Sequence, residues 1–193
     1  MTPFNGRVGL LVALAALFAG CPSPRPGIVE TVTPRSLGPD VTMFQSLAVT
    51  VGEREFLAQA VLAKEGDRLD LVLLAPSGTR LGVIHQEGSD ISADFRFGAF
   101  TDLDPAWLLR DLRWVLFFDC PRGTDTCTDG DHEVVQDRDE AGDVRTRTFT
   151  RGDATTRIEI SEYVGSVPNR RPRRFLLTGP GDRYSLDIRI DRF

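Results

Sequence analysis

The chain has 193 residues, 41% of them hydrophobic and 26% charged. That is enough for one domain of ordinary size and too apolar for a disordered one. Lys and Arg number 23 against 28 Asp and Glu, so the chain lacks the broad positive field of a non-specific nucleic-acid binder. No apolar run after residue 20 is long enough to span a bilayer.

Residues 1–20 have the three parts of a secretory signal. A weakly basic start, MTPFNGR, leads into the apolar core VGLLVALAALFA and then into small residues. Ala19-Gly20-Cys21, after Leu17 and Phe18, resembles the bacterial lipobox, in which the cysteine takes a diacylglycerol and becomes the mature N-terminus. Phe18 stands where leucine is usual, and the competing reading is a plain signal peptide with an incidental cysteine. On the lipobox reading the mature chain keeps 22 basic against 28 acidic residues, a net of −6. Two or three acyl chains on Cys21 anchor it stably in a membrane. Residues 21–28 are then a lipidated, proline-rich tether with nothing to pack. Pro22, rather than the aspartate that retains lipoproteins at the inner membrane, tilts the location toward the outer membrane, facing the periplasm.

Residues 29–193 read as one domain. VTMFQSLAVTV, FLAQAVLAK, RLDLVLLA, TRLGVIHQ and DISADFRF are five strands separated by turns of two to four Gly, Asp, Glu, Ser and Pro residues. The order is an antiparallel meander, not alternating strands and helices. DLDPAWLLRDLRWVLFF then has Asp104 as a helix N-cap and Pro105 at the first helical position. Leu108, Leu112, Val115 and Leu116 recur at helical spacing with Trp107 and Trp114 beside them. Arg110, Asp111 and Arg113 fall mostly on another face. Five more strands follow: HEVVQDR, DVRTRTFTR, TTRIEISEY, RRFLLT and RYSLDIRIDRF.

Alternation assigns faces. Ile91, Ala93, Phe95 and Phe97 point one way, Ile158 and Ile160 point inward, and Tyr184, Leu186, Ile188 and Ile190 share a face. About ten strands with one apolar face must curl to bury it. The fold class is therefore mainly β with minor α, a curved antiparallel sheet forming an unclosed half-barrel capped by one or more helices.

Cys120 and Cys127, in DCPRGTDTCTDGD, are separated by six residues of a polar loop that can bring two α-carbons within bridging distance. In an exported protein a local disulfide is the natural reading, with free thiols second and a metal site least supported. Asp125, Asp129 and Asp131 have Ca-loop-like spacing but lack the glycine and terminal glutamate of an EF-hand, so a solvated acidic loop is the better reading. His85 and His132 stand beside no nucleophile and in no metal-binding pair. No phosphate-cradling glycine loop or nucleophile elbow occurs. No catalytic residue, metal or cofactor is expected, and the chain does not read as an enzyme. Arg145, Arg147, Arg151, Arg170, Arg171, Arg173 and Arg174 could rest on anionic lipid head groups or pair with the abundant acids.

Three segments carry a resemblance. LDLVLLAPSGTRLGVI, DPAWLLRDLRWVLFFDCPRG and FLLTGPGDRYSLDIRIDRF are similar, in the same order, to the strand–turn–strand, the helix with its Pro-Gly exit and the closing hairpin of LolB-type outer-membrane lipoproteins. DLRWVLFF and the final hairpin resemble still more a bacterial lipoprotein family often encoded among aryl-polyene lipid biosynthesis genes. The resemblance implies an unclosed antiparallel barrel round a hydrophobic cavity, with helices as a lid, that holds acyl chains. Ile91, Phe95, Phe97, Ile158, Leu186 and Ile188 would then contact lipid, with Trp107 and Leu108 on the lid; alternatively, the same residues fill a core. LolB receptors carry an exposed leucine in the turn that here reads Pro76-Ser77-Gly78. Ser77 takes that position, a departure at the residue on which leucine-dependent handover of lipoproteins rests. The leading expectation is a lipoprotein that binds a lipid or lipid-linked molecule and assists its transport or insertion. The rival is a structural or assembly module with a filled core and a protein partner.

Overall fold

A computed structural model describes residues 32–96, 104–166, 170–182 and 184–193. The signal segment, Cys21 and the tether lie outside the described residues, as does Phe97.

Eleven strands form one antiparallel sheet. The first five, β1 (Val41–Val51), β2 (Arg54–Glu65), β3 (Arg68–Leu74), β4 (Arg80–Glu87) and β5 (Asp90–Phe95), run as a meander to one edge. Helix α1 (Pro105–Leu116) follows β5, and the chain re-enters the sheet at the opposite edge as β6 (Thr126–Asp129). β7 (His132–Arg138), β8 (Val144–Arg151), β9 (Ala154–Ser161), β10 (Arg174–Thr178) and β11 (Tyr184–Arg192) return to the middle, where β11 pairs with β1. The two edges, β5 and β6, do not pair, so the sheet is not closed into a barrel. The chain thus builds outward, crosses by the helix, and builds back.

Turn chemistry sets this order locally. Gly52-Glu53, Gly66-Asp67, Gly88-Ser89, Gly130-Asp131 and Gly152-Asp153 are two-residue hairpin loops whose glycine sits at φ 57–59°. A glycine with positive φ at the first central position is the requirement of the tight turns whose twist matches paired strands. The register of the sheet puts Phe56, Val49, Leu186, Leu177, Ile158, Arg147 and Gln136 in one row across seven strands on the inner face. That row is apolar in the middle of the sheet and polar toward β7.

Three features depart from the sequence expectation. Thr126–Asp129, read as part of the polar loop, is an edge strand paired with β7, which raises the strand count to eleven. Four residues rich in Thr and Asp carry no strand signal; the Gly130 hairpin and the partner strand supply it. The buried face of α1 is Leu109, Leu112, Trp114 and Val115, with Leu108 and Leu116 only half-buried. Asp111, expected on the polar face, is 3% exposed. Among the described residues α1 is the one α-helix, alongside two short 3-10 turns at Pro34–Leu37 and Pro180–Asp182.

Asp104 does cap the helix: its carboxylate accepts from the Ala106 N–H at 2.9 Å, with Pro105 at the first helical position. A single hydrophobic core joins the inner face of the sheet to the buried face of α1. At the β5 edge, Gly82 makes room for the Phe95 ring, since a Cβ there would stand 2.4 Å from a ring carbon.

Candidate ligand-binding site on the inner face

Helix α1 is fixed to the inner face by polar struts at three points, each reaching a different strand. Near its middle, Asp111 accepts from the Tyr184 hydroxyl of β11 at 2.5 Å and from two guanidinium nitrogens of its neighbour Arg110 at 2.9 and 2.7 Å. Burial raises the Asp111 carboxyl above 3.8, against the opposing pull of Arg110 and Tyr184. The Tyr184 hydroxyl is raised in turn, by burial first and then by the Asp111 charge.

Two residues on, Arg113 makes a bidentate pair with Asp129 of β6 at 2.9 and 2.5 Å, and the Trp114 indole N–H donates to the same carboxylate at 2.6 Å. Burial alone would push Asp129 up. The hydrogen bonds from Arg113 and Trp114, with the Arg113 charge, outweigh it and hold the carboxyl below 3.8. Trp114 also stacks on Phe149 of β8 at 4.3 Å and meets the His132 ring edge-on at 4.9 Å.

At the helix C-terminus, Arg147 of β8 donates to the Trp114 and Val115 carbonyls at 3.1 and 3.4 Å. A cation there satisfies orphan carbonyls and opposes the helix dipole, an arrangement worth up to about 2 kcal/mol when partly buried. Arg147 is therefore inside the protein and not on a lipid-facing surface. The buried stripe is centred on Leu112 and Val115, with Leu108 and Leu116 at its margin.

Space on the inner face is uneven. Between α1 and strands β2 to β5, a cavity of about 30 Å³ is lined by Leu62, Leu69, Gln86, Ile91, Leu109 and Leu112, among others. It has room for water-sized guests only. A larger recess of about 280 Å³ opens past the C-terminal end of α1, walled by Leu37, Val41, Met43, Leu116, Phe117, Phe175, Ile190 and Phe193, with Pro39, Pro172 and Arg171. It lies over the central strands β1, β11 and β10.

The sequence-derived candidates distribute as follows. Ile158, Leu186 and Ile188 are on the inner face and at most 2% exposed, in the core. Ile91 and Phe95 are half-buried on edge strand β5. Leu108 is half-buried on α1, and Trp107 is 46% exposed. None of these except Ile91 lines either cavity named above, and none lines the larger recess. The recess residues lie at strand ends, in the segment before β1 and at the close of β11, where alternation gives no sign of a cavity.

Cys120 and Cys127 form a disulfide that joins the segment after α1 to β6. Of the acidic loop, Asp125 pairs with Arg138, Asp129 with Arg113 and Asp131 with Arg151. Among the described residues no three His, Cys, Asp or Glu side chains gather to hold a metal. His85 pairs with Asp70 at 2.5 Å on the outer face, and His132 lies 3.2 Å from Asp131. In the basic cluster, Arg145 pairs with Asp139, Arg170 with Asp143 and Arg174 with Asp187. Among the described residues no helix is long and apolar enough to cross a membrane.

Residues 42–190 match the DUF3261 family, a family of proteins of unknown function, and the chain belongs to it. No curated protein matches the sequence. Solved structures similar to this chain include a LolA-superfamily protein from Nitrosomonas europaea, at 10% identity and a TM-score of 0.48, covering 83% of this chain and 92% of that one. A putative outer membrane lipoprotein-sorting protein domain from Vibrio parahaemolyticus has the same identity and TM-score, with 82% and 87% covered. A DUF1329 family protein from Desulfovibrio piger gives 10% identity and a TM-score of 0.37, with 85% and 86% covered. At these values no role passes from them to this chain.

Proposed function

We propose that this DUF3261 protein is a periplasm-facing lipoprotein, anchored in the outer membrane through acylated Cys21, that binds a lipid or lipid-linked molecule on the inner face of its open sheet. It assists the transport or insertion of that molecule and performs no chemistry on it. The observation that carries the reading is the open apolar recess of about 280 Å³ at the C-terminal end of α1. Each methylene buried there contributes about 0.8 kcal/mol, which suits an acyl chain. The kinship to LolB-type receptors and to the aryl-polyene-associated lipoproteins belongs to this proposal, as does the part of α1, with Trp107 and Leu108, as a lid.

A second reading is favoured by the 30 Å³ cavity beneath α1. An interior this full suits a structural or assembly module that binds a protein partner through its surface.

The two separate in one experiment. Delipidated protein is titrated with a fluorescent fatty acid, and protein purified from membranes is examined by native mass spectrometry for co-purified lipid. Saturable probe binding displaced by unlabelled fatty acid supports the lipid reading. No probe binding and no lipid adduct would sink it in favour of the module.

A further inference from the structure

One rung of the sheet carries polar groups that the fold leaves without partners. Ile190 of β11 pairs with Gln45 of β1, Gln45 pairs with Ala60 of β2, and the Ile190 N–H donates to the Arg173 carbonyl at 2.8 Å. Arg173, Ile190 and Gln45 are therefore neighbours across three adjacent segments. Gln45 is 1% exposed, and both its amide nitrogen and its amide oxygen are buried without a hydrogen bond. The Arg173 Nε is buried in the same condition. Native interiors pair almost all such atoms, with protein or with ordered water, so three in one rung offer a place where a ligand's polar head can be taken up.

The rung borders the apolar recess. Ile190 forms part of its wall, as do Met43, two residues along β1 from Gln45, and Phe175, two residues along from Arg173. Arg171, two residues before Arg173, is also on the wall, with its guanidinium 5.4 Å from the ring centre of Phe193, another wall residue. Among the described residues neither Arg171 nor Arg173 has a carboxylate within ion-pairing distance, whereas Arg170 and Arg174 on either side do. In a chain with acids in excess, two arginines left without counter-ions at the edge of an apolar recess mark a place for a negative charge.

We infer that the recess is a site for a single-chain amphiphile with an anionic head, a carboxylate or a phosphate. The chain lies against Val41, Met43, Phe117 and Ile190, and Arg171, Arg173 and the Gln45 amide supply the donors for the head. A recess of about 280 Å³ has room for one acyl chain. The inference rests on the lipid-binding reading above and adds head-group selectivity to it.

The test uses the full mature protein, delipidated, and competition of decanoate, decyl phosphate and 1-decanol against the neutral fluorophore N-phenyl-1-naphthylamine. At least one of the two anions is expected to bind about tenfold or more tightly than the alcohol, as charge-assisted bonds to arginine dictate. The double variant Arg171→Gln/Arg173→Gln should lose that preference while keeping its affinity for decanol. Gln45→Met, close in volume, should weaken the anions by a smaller factor, and retained decanol affinity shows that the recess is still folded. The ratio of decanoate to decyl phosphate identifies the head. Decanol binding as tightly as both anions, or an unchanged preference in the double variant, overturns the head-group inference and leaves lipid binding standing. If none of the three displaces the fluorophore and none binds by calorimetry, the lipid-binding reading itself fails.

Discussion

Asp129→Asn removes the charge from the strut between α1 and the edge strand β6 while keeping the side chain's shape. Three hydrogen bonds converge on that carboxylate, from two Arg113 nitrogens at 2.9 and 2.5 Å and from the Trp114 indole at 2.6 Å. Both partners of the ion pair are 15% exposed, so solvent screens them weakly. Bonds to a charged group net about 1.5–3 kcal/mol each. With its oxygen in the place that accepts from both Arg113 and Trp114, the amide turns its NH₂ toward the second Arg113 nitrogen, so one bond is lost, the other two lose their charge assistance, and the Arg113 charge remains without its partner. The lower desolvation cost of an amide offsets part of this, which leaves a destabilisation of about 2–3 kcal/mol. For a domain of this size that lowers the melting temperature by about 5–10 °C.

The pH dependence supplies a sharper test. Because the folded carboxyl titrates below 3.8, its contribution is present above that value and is lost as pH falls through the folded one. The gap between wild type and variant should be full near neutrality and shrink below about pH 4. Differential scanning calorimetry across that range measures both. A variant melting within about 1 °C of wild type at pH 7, or a gap equally wide at pH 7 and pH 3, would refute the assignment of Asp129 as a charged strut.

Three further outcomes are expected. Asp111 has the opposite sign: burial raises its folded carboxyl above 3.8, so its stabilisation is present below that pH and is lost as pH rises through the folded value. Asp111→Asn should therefore gain on wild type as pH rises from about 3 to 7, measured by the same calorimetry; a gap that widens against the variant rejects the reading. Cys120→Ala/Cys127→Ala opens a loop with a sequence separation of 7, for which loop-closure entropy predicts a loss of about 2–2.5 kcal/mol in chemical denaturation. Reducing the wild type should reproduce that loss. Cys21→Ser should move the protein from the detergent phase to the aqueous phase in Triton X-114 partitioning of cell extracts. Retention in the detergent phase would reject the lipobox reading.

The resemblance of three segments to LolB-type lipoproteins implied an unclosed antiparallel barrel with helices as a lid. The sheet is indeed open, yet α1 is packed into the core through Leu112, Trp114 and Val115. The inward assignment of Ile158, Leu186 and Ile188 followed from alternation and holds for their burial. Their expected contact with lipid is a different matter, because alternation reports which face a residue takes and not whether that face meets a chain or a ligand. The walls of the recess come from Leu37, Met43, Phe117, Arg171 and Phe193, which no single periodic segment contains.

By itself the sequence determined ten of the eleven strands, most of their hairpins and the helix start. The two-residue glycine loops, the period-two alternation and Asp104-Pro105 act within a few residues and need no distant partner. Only the tertiary structure decided that β11 closes against β1, that Thr126–Asp129 becomes a strand, and that Arg147 and Asp111 lie inside while Leu108 does not. Three of those outcomes depend on a partner far away in the chain: Ile188 beside Leu47, a helix terminus above Arg147, and Tyr184 beneath Asp111; Thr126–Asp129 depends on β7 across the Gly130 hairpin. A buried charge reads in sequence like any surface charge until the group that neutralises it is in place.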